Sequence, residues 1–231
     1  MSHTNTMPMT IREWQKMFNK IYGKNNKELT DADAWIQFME ETGEFAKIMR
    51  KQNYAGLGDG LADLFAWLCA FADHRAIDIE DALWRKYPRI CPYCEKHMNC
   101  VCIAETQHAI YDEGAISHYI ANIDNRPKTF SEWYAMFKDI YGNMNRVISR
   151  ESIGFHLIEE VGQVARKIRA KKPDEYALEM ADVFAWLIAV TMKFEGQIAS
   201  LDTLTWEIYP GICKECEEPE CICLRNHRKP K

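Results

Sequence analysis

Apolar side chains recur every three or four residues along most of the chain, which is the spacing of one buried face of an α-helix. After Thr10, this face is formed by Trp14, Met17, Phe18 and Ile21, and Gly23 is expected to end the helix. No segment sustains the alternation of apolar and polar positions that a half-buried strand requires. The pattern therefore predicts an all-α fold.

The same pattern occurs twice. Five anchor residues return 119 positions later in the same order, Trp14, Tyr22, Glu41, Asp63 and Trp67 as Trp133, Tyr141, Glu160, Asp182 and Trp186. A fixed offset of this length indicates a duplicated structural unit. Each copy is predicted to contain four helices. The first ends at Gly23 or Gly142, the second opens after Thr30 or Ser149, and the fourth ends at a Tyr-Pro pair.

These repeats divide the chain into four parts. The predicted boundaries are 10–102 for the first repeat, 103–128 for a linker, 129–223 for the second repeat and 224–231 for a basic tail. Units of about 100 residues have small cores and often need a metal or a partner. We therefore expect two tandem helical repeats that pair within one chain as a pseudo-dimeric bundle, and further homodimerisation stays open.

Composition narrows the class of protein. The net charge of −5 over 231 residues gives no general attraction to nucleic acid or to anionic membranes, so neither partner is expected. No apolar run approaches the roughly 20 residues that span a bilayer, and the first ten residues do not resemble a secretory signal. We expect a cytoplasmic protein.

Eight of the nine cysteines form two sets, each a C-x-x-C pair followed by a C-x-C pair. The sets are Cys91, Cys94, Cys100 and Cys102 in segment 91–102, and Cys213, Cys216, Cys221 and Cys223 in segment 213–223. Four thiolates at such spacing favour two structural Zn²⁺ sites over disulfides in a reducing compartment, with free thiols or an iron cluster as alternatives. One hypothesis is that each zinc knuckle caps the final helix of its own repeat. Cys69, in an apolar run, is interpreted as a core residue.

Acidic residues concentrate on the second and third helices of each repeat. The first repeat has Glu40, Glu41, Glu44 and Asp63, and the second has Glu159, Glu160, Glu179 and Asp182. Carboxylates three or four residues apart share a helix face, and several in one place repel one another unless a cation lies between them. A solvated helix face is the alternative, but Asp63 and Asp182 lie in apolar runs where an unpaired charge is costly. Hard oxygen ligands favour Mg²⁺.

Glu-Glu-x-x-Glu on one helix, followed by Glu-x-x-Asp on the next, resembles the all-α nucleoside triphosphate pyrophosphohydrolases of the MazG type, relatives of the dimeric dUTPases. The resemblance covers both repeats up to the cysteines. It implies Mg²⁺ or Mn²⁺ held by these acids, and hydrolysis between the α and β phosphates that yields a nucleoside monophosphate and pyrophosphate. Members of this family commonly act as dimers. The zinc knuckles are an addition to the usual domain.

Neither repeat matches this motif completely. Gly60 stands where the second motif has its glutamate, and Asp59 either replaces that ligand or caps a late-starting helix. Gln163 replaces the third glutamate of the other repeat, although its carbonyl oxygen can still bind a metal. The resulting ligand sets are Glu41, Glu44, Asp59 and Asp63, or Glu160, Gln163, Glu179 and Asp182. We favour the second set, because an amide is a milder loss than a missing side chain.

The resemblance also suggests roles for neighbouring side chains. Glu159 or Glu160, and in the first repeat Glu40 or Glu41, are candidates to orient or deprotonate the attacking water. Candidates to bind phosphate are Lys47, Arg50, Arg166, Lys167 and Arg169. Candidates to stack on the base are Trp35, Phe38, Phe155 and His156. The alternative for the basic candidates is a solvated helix end, and the alternative for the stacking candidates is a position in the hydrophobic core.

A rival interpretation follows from Gly60 and Gln163. In it the acidic sites have lost catalysis, and the chain is a nucleotide-binding or scaffold protein whose zinc knuckles contact protein or nucleic acid. Retention of both buried aspartates favours the enzyme. The sequence does not specify the base or sugar of the nucleotide.

Overall fold

The computed structural model of the chain describes residues 6–102 and 111–223, and within these ranges every regular element is a helix. The first repeat contains α1 (Ile11–Asn26), α2 (Asp31–Lys51), α3 (Leu57–His74) and α4 (Ile79–Lys86). The linker contains α5 (Ser117–Ile120), and the second repeat contains α6 (Phe130–Val147), α7 (Arg150–Arg169), α8 (Pro173–Lys193) and α9 (Leu201–Ile208). The all-α prediction is confirmed. The basic tail and residues 103–110 of the linker lie outside the described residues.

Local sequence signals account for where most of these helices begin. Thr10 and Thr30 are N-caps that form capping boxes with Glu13 and Asp33, and Ser149 caps α7 through its hydroxyl. The α4 helix ends immediately before the Tyr-Pro pair, as predicted.

Two of the predicted boundaries are wrong. Gly23 and Gly142 lie inside α1 and α6, which continue to Asn26 and Val147, because a helical glycine costs only about 1 kcal/mol relative to alanine. The α3 helix begins at Leu57, so Asp59 lies in its first turn and does not cap it.

The two repeats exchange elements around a shared core. The central helices α3 and α8 pack against each other, and the equivalent rings of Phe65 and Phe184 meet there with centroids 5.8 Å apart. The α4 helix of the first repeat packs on α8 of the second, whereas α9 of the second packs on α3 of the first. Each short helix therefore completes the core of the other repeat.

Glycine residues allow two pairs of helices from opposite repeats to pack closely, α3 with α9 and α2 with α7. A Cβ atom on Gly58 would lie 2.9 Å from Leu204 Cδ2, at the contact between α3 and α9. A Cβ atom on Gly154 would lie 3.0 Å from Met49 Cε, where α2 meets α7. Since real Cβ atoms rarely come so close to a neighbour, glycine permits the close approach of each pair.

The segment Tyr54–His74, which includes α3, is long and apolar enough to cross a bilayer by length and composition. The expectation that no apolar run approaches this length is therefore wrong. Because 61% of its most apolar window is buried inside the protein, the segment is accounted for as a central core helix.

Candidate functional site

Three carboxylates of the second repeat converge between α7 and α8. Glu160 on α7 and Glu179 and Asp182 on α8 each offer an oxygen, and these oxygens all lie within 4.8 Å of one another. One turn along α7, Gln163 has a buried side-chain oxygen with no hydrogen-bond partner in the described part of the chain. An orphaned carbonyl oxygen on the same helix face as Glu160 suits a metal ligand.

Asp182 is paired with residues of the other repeat. It is only 6% exposed, and it accepts hydrogen bonds from Lys86 Nζ and, at 2.5 Å, from Tyr87 Oη. Burial raises the pKa of the Asp182 carboxyl, and the charge of Lys86 and both hydrogen bonds oppose this only in part. The two partners come from the end of α4, which packs on α8 through the exchange.

Glu160 has the most unusual acidity in the cluster. Burial, followed by the negative charge of Asp182, raises the pKa of Glu160 to about 8, although Lys86 acts in the opposite direction. Glu179 lies 3.3 Å from Lys167 Nζ, which also bonds Glu175. Adjacent carboxylates of this kind favour a bound cation, because it would relieve their mutual repulsion.

The first repeat does not form an equivalent cluster. Within 6–102 and 111–223, Glu41, Glu44 and Asp63 do not bring three oxygens together as the second repeat does. Glu44 pairs with Lys47 at 2.8 Å, and Asp59 is exposed. At the position of the missing glutamate, a Cβ atom on Gly60 would lie 3.3 Å from Ile48 Cδ1, so a longer side chain would crowd α2.

Asp63 nevertheless has the same kinds of partner as Asp182. It accepts hydrogen bonds from Tyr209 Oη and, at 2.6 Å, from Lys214 Nζ, both from the second repeat. Tyr87 and Tyr209 are equivalent residues in front of the cysteines. The lysines are not equivalent, since one precedes Tyr87 and the other follows Cys213. Each buried aspartate is thus matched by a tyrosine and a lysine of the opposite repeat.

Each group of four cysteines has the geometry of a tetrahedral site. The sulfur atoms of each group lie within 4.8 Å of one another. Cys91 and Cys102 are 4.0 Å apart, Cys94 and Cys100 are 3.7 Å apart, and Cys213 and Cys221 are 3.5 Å apart. A tetrahedron with Zn–S bonds of about 2.3 Å has edges of roughly 3.8 Å, so both groups fit a structural Zn²⁺ ion.

The two cysteine segments, 91–102 and 213–223, which we call the knuckles, each contact the opposite repeat. Cys100 N donates to Ile140 O at 2.7 Å, and Cys221 N donates to Ile21 O at the same distance. Each cysteine segment follows the last helix of its own repeat and hydrogen-bonds to the first long helix of the other. That each segment caps the last helix of its own repeat stays a hypothesis. The two accepting carbonyls are equivalent positions of α1 and α6.

At both contacts between repeats, a tyrosine of the first long helix also hydrogen-bonds to a cysteine of the opposite repeat. Burial, then the charge of Cys91 and a hydrogen bond with it, raise the pKa of Tyr141 well above its ordinary value. Burial and the same kind of contact with Cys213 raise the pKa of the equivalent Tyr22. A donor beside a thiolate orients the ligand and supports metal binding.

The predicted base-stacking residues lie in different environments. Phe38 is fully buried against Trp35, which also packs on Phe71, so we leave both out of the proposed site. Phe155 is 68% exposed. His156 stacks on Trp186, with ring centroids 4.5 Å apart.

The predicted phosphate-binding and water-activating residues lie mostly at the surface. The side chains of Lys47, Arg50, Arg166, Arg169, Glu40 and Glu159 are exposed. Glu159 lies 3.7 Å from His156 Nδ1, at the edge of the acidic cluster. Lys167 instead forms the ion pairs with Glu175 and Glu179 described above, which hold it at α8.

A cavity of about 230 Å³ adjoins the acidic cluster of the second repeat. Its lining includes Glu160 and Asp182 together with Trp186, Tyr93, Asn145 and three cysteines of the first set. A second cavity, of about 420 Å³, also has Asn145 in its lining and has basic residues but no acidic cluster. Only the smaller cavity connects to the carboxylates, so we consider it the candidate substrate pocket.

The sequence analysis did not predict the four residues that hydrogen-bond to the buried aspartates, which are Lys86, Tyr87, Tyr209 and Lys214. The tyrosines carried a usable signal, because they recur in front of both cysteine sets. The lysines carried none, since they occupy different positions in the two repeats.

Comparison with known proteins adds one finding. Residues 34–95 match the family model of the MazG nucleotide pyrophosphohydrolase domain. No curated protein and no solved structure matches the chain. The matched segment contains the acids of the first repeat together with Lys86 and Tyr87, which reach the acidic cluster of the second.

Proposed function

We propose that the chain is an Mg²⁺-dependent nucleoside triphosphate pyrophosphohydrolase of the cytoplasm, and that it cleaves between the α and β phosphates. The products are a nucleoside monophosphate and pyrophosphate, and Mn²⁺ is an alternative ion. The observation that carries the proposal is the convergence of Glu160, Glu179 and Asp182 within 4.8 Å. The match of residues 34–95 to a nucleotide pyrophosphohydrolase domain supports the reaction class.

The donor set fits the proposed ion. Glu160, Glu179, Asp182 and the carbonyl oxygen of Gln163 would hold Mg²⁺ and leave room for water and phosphate oxygens. Bound there, the ion would polarise the α-phosphate and acidify a water molecule. In the first repeat, where Glu41, Glu44 and Asp63 do not converge within the described residues, the incomplete set supports a structural role.

The remaining roles belong to side chains around the cluster. We assign to Glu159, next to Glu160 and close to His156, the role of orienting a water molecule and accepting its proton. Lys86 and Lys167 set two positive charges at the cluster, where they favour phosphate oxygens. Trp186, backed by His156, gives the pocket one flat apolar wall.

The first test is a nucleotide panel. The purified protein is incubated with ribo- and deoxynucleoside triphosphates and Mg²⁺ or Mn²⁺, and pyrophosphate is measured. Asp182→Asn should lower kcat at least about 100-fold, because even residues behind a metal ligand typically change activity 10–100-fold. If no nucleotide is cleaved, the proposed activity is wrong, and nucleotide binding alone would favour the rival scaffold.

The matched control is Asp63→Asn. Asp63 and Asp182 are equally buried, at 6% exposure, and each bonds one tyrosine and one lysine of the opposite repeat. The two changes should therefore have similar effects on the melting temperature. Only Asp182→Asn should abolish turnover, and equal partial losses would contradict the assignment to the second repeat.

A further inference from the structure

The first zinc knuckle contributes a side chain to the cavity of the second repeat. Tyr93 lies between Cys91 and Cys94 and lines the same cavity as Glu160 and Asp182. It remains 42% exposed. The ring is therefore near the acidic cluster without being part of the core.

The second knuckle differs at this position. Its two residues between cysteines are Lys214 and Glu215, where the first knuckle has Pro92 and Tyr93. Lys214 Nζ bonds Asp63 at 2.6 Å, so this knuckle places an ammonium on the first acidic site. The same scaffold thus presents an aromatic ring to one repeat and a lysine to the other.

Two features define what the cavity accepts. Its wall is largely aromatic, with Tyr87, Tyr93 and Trp186, and such rings favour a flat apolar ligand. Asn145 on the same wall is only 4% exposed, and within residues 6–102 and 111–223 its amide nitrogen makes a single long contact, of 4.0 Å, to Met192 Sδ. A buried amide without a good partner favours a ligand with a polar edge. A nucleobase has both properties.

The size and position of the cavity agree with this occupant. At about 230 Å³ it lies just below the roughly 300–1,000 Å³ of drug-sized sites, a size that suits one nucleoside. Glu160 and Asp182 are part of its lining, and the phosphates would meet the metal ligands there. The base would then lie toward Asn145.

Zinc is coupled to this wall through the position of Tyr93. The ring is held between two cysteines whose sulfurs fit a tetrahedral ion. The knuckle is further fixed by Cys100 N on Ile140 O and by Tyr141 on Cys91. Loss of the ion would release the loop that carries Tyr93.

We propose that Tyr93 of the first zinc knuckle forms one wall of the nucleoside pocket of the second repeat, so that substrate binding at one repeat depends on zinc held by the other. The inference rests on the proposed function, because it takes the acidic cluster as the phosphate end of the site.

The test compares Tyr93→Ala with Glu215→Ala, the equivalent position of the second knuckle. Tyr93→Ala should raise KM about tenfold, which corresponds to about 1.4 kcal/mol, with kcat within about twofold. Tyr93→Phe should restore KM, because the ring and not the hydroxyl forms the wall. The zinc content and melting temperature of Tyr93→Ala, Tyr93→Phe and Glu215→Ala should equal those of the parent protein.

A second pair of variants tests the dependence on zinc. Cys94→Ser in the first knuckle should weaken nucleotide binding, whereas Cys216→Ser in the second should not. Binding is measured calorimetrically with Mg²⁺ and the α,β-imido analogues of dATP, dCTP, dGTP and dTTP, which cannot be hydrolysed at that bond.

Three outcomes overturn the inference. Equal KM values for the parent and Tyr93→Ala, in a protein that hydrolyses nucleotides, contradict it and leave the proposed function intact. Equal losses for Cys94→Ser and Cys216→Ser contradict the selective role of the first knuckle. If the parent protein neither hydrolyses the triphosphates nor binds the analogues, the proposed function fails together with the inference.

Discussion

At the scale of single residues, the central feature is that two buried aspartates obtain their counter-charge from the opposite repeat. A carboxylate moved into an apolar interior loses several kcal/mol of hydration free energy, and a paired cation offsets this cost. Asp182 has Lys86, and Asp63 has Lys214, each joined by a tyrosine hydroxyl. The duplicated sequence therefore kept the requirement for a cation but met it from two different positions.

Lys86→Met should make the stability of the protein depend on Mg²⁺. Lys86 and Asp182 have side chains 6% and 8% exposed, and removal of one partner from a buried ion pair costs about 3–5 kcal/mol. The melting temperature in chelator should fall by roughly 6–20 °C. Added Mg²⁺ should raise the melting temperature of the variant by more than it raises that of the parent protein. In the variant, Glu160, Glu179 and Asp182 lack the charge of Lys86, so they gain more from a bound cation. Differential scanning calorimetry with and without Mg²⁺ measures both effects.

Lys214→Met is the matched control for this prediction. Its ion pair with Asp63 is less buried, with the lysine side chain 33% exposed, so the loss should be smaller. Mg²⁺ should not restore it, because the acids of the first repeat do not converge. An equal Mg²⁺ response in the two variants would argue against a metal site confined to the second repeat.

At the scale of elements, α3 carries a buried acid unrelated to the proposed site. Asp73 accepts a 2.8 Å hydrogen bond from Gln15 Nε2 through one oxygen, and its other oxygen is buried without a partner in the described ranges. Burial raises the pKa of Asp73 to about 6, although the bond from Gln15 lowers it. The helix therefore packs best on α1 when this carboxyl is protonated.

Asp73→Asn should stabilise the protein above pH 6. A carboxyl whose pKa is raised from 3.8 to about 6 on folding contributes stability below pH 4, and this contribution is lost as the pH rises through 6. Asparagine keeps the acceptor for Gln15 and cannot ionise. Allowing for solvent screening, the gain at pH 7–8 should be about 1 kcal/mol, or about 2–4 °C in Tm.

The pH profile of melting provides the check on this prediction. Parent and Asp73→Asn curves should converge near pH 4 and separate between pH 5 and 7. Asp59→Asn, which changes an exposed acid on the same helix, should follow the parent curve at every pH. A constant difference between parent and Asp73→Asn would show that charge is not the cause.

The elements themselves were largely predictable from sequence. Periodicity and capping residues such as Thr30 and Ser149 located the helices, because these signals act within a few residues. The ends at Gly23 and Gly142 were predicted wrongly, since α1 and α6 continue for several residues past them and a helical glycine costs only about 1 kcal/mol relative to alanine.

At the scale of the whole molecule, the repeats are joined by exchange and not by simple apposition. The α4 and α9 helices pack on the central helix of the opposite repeat, and each knuckle hydrogen-bonds to the first long helix of the other. Sequence periodicity could not predict this, because it identifies the apolar face of a helix but not the partner that covers it. The two repeats therefore share helices across their interface, whereas the duplication alone predicted only that they pair.

This exchange has a consequence for the candidate site. Glu160, Glu179 and Asp182 belong to one repeat, whereas Lys86, Tyr87 and Tyr93 reach them from the other. The sequence motif identified the carboxylates because they lie close together along two helices. It could not identify the completing residues, which are 67 to 96 positions away along the chain.

Cutting the linker should leave the two halves associated. With a protease site introduced within residues 103–110, the cleaved protein should elute from size exclusion at the position of the intact 27.0 kDa chain, because α4, α9 and both knuckles bind across the halves. Zinc chelation before the column should promote separation, since the bonds of Cys100 to Ile140 and of Cys221 to Ile21 depend on ordered knuckles. The uncut chain treated with the same chelator controls for unfolding. Halves that separate without chelation would show that the exchanged contacts are too weak to hold the bundle together.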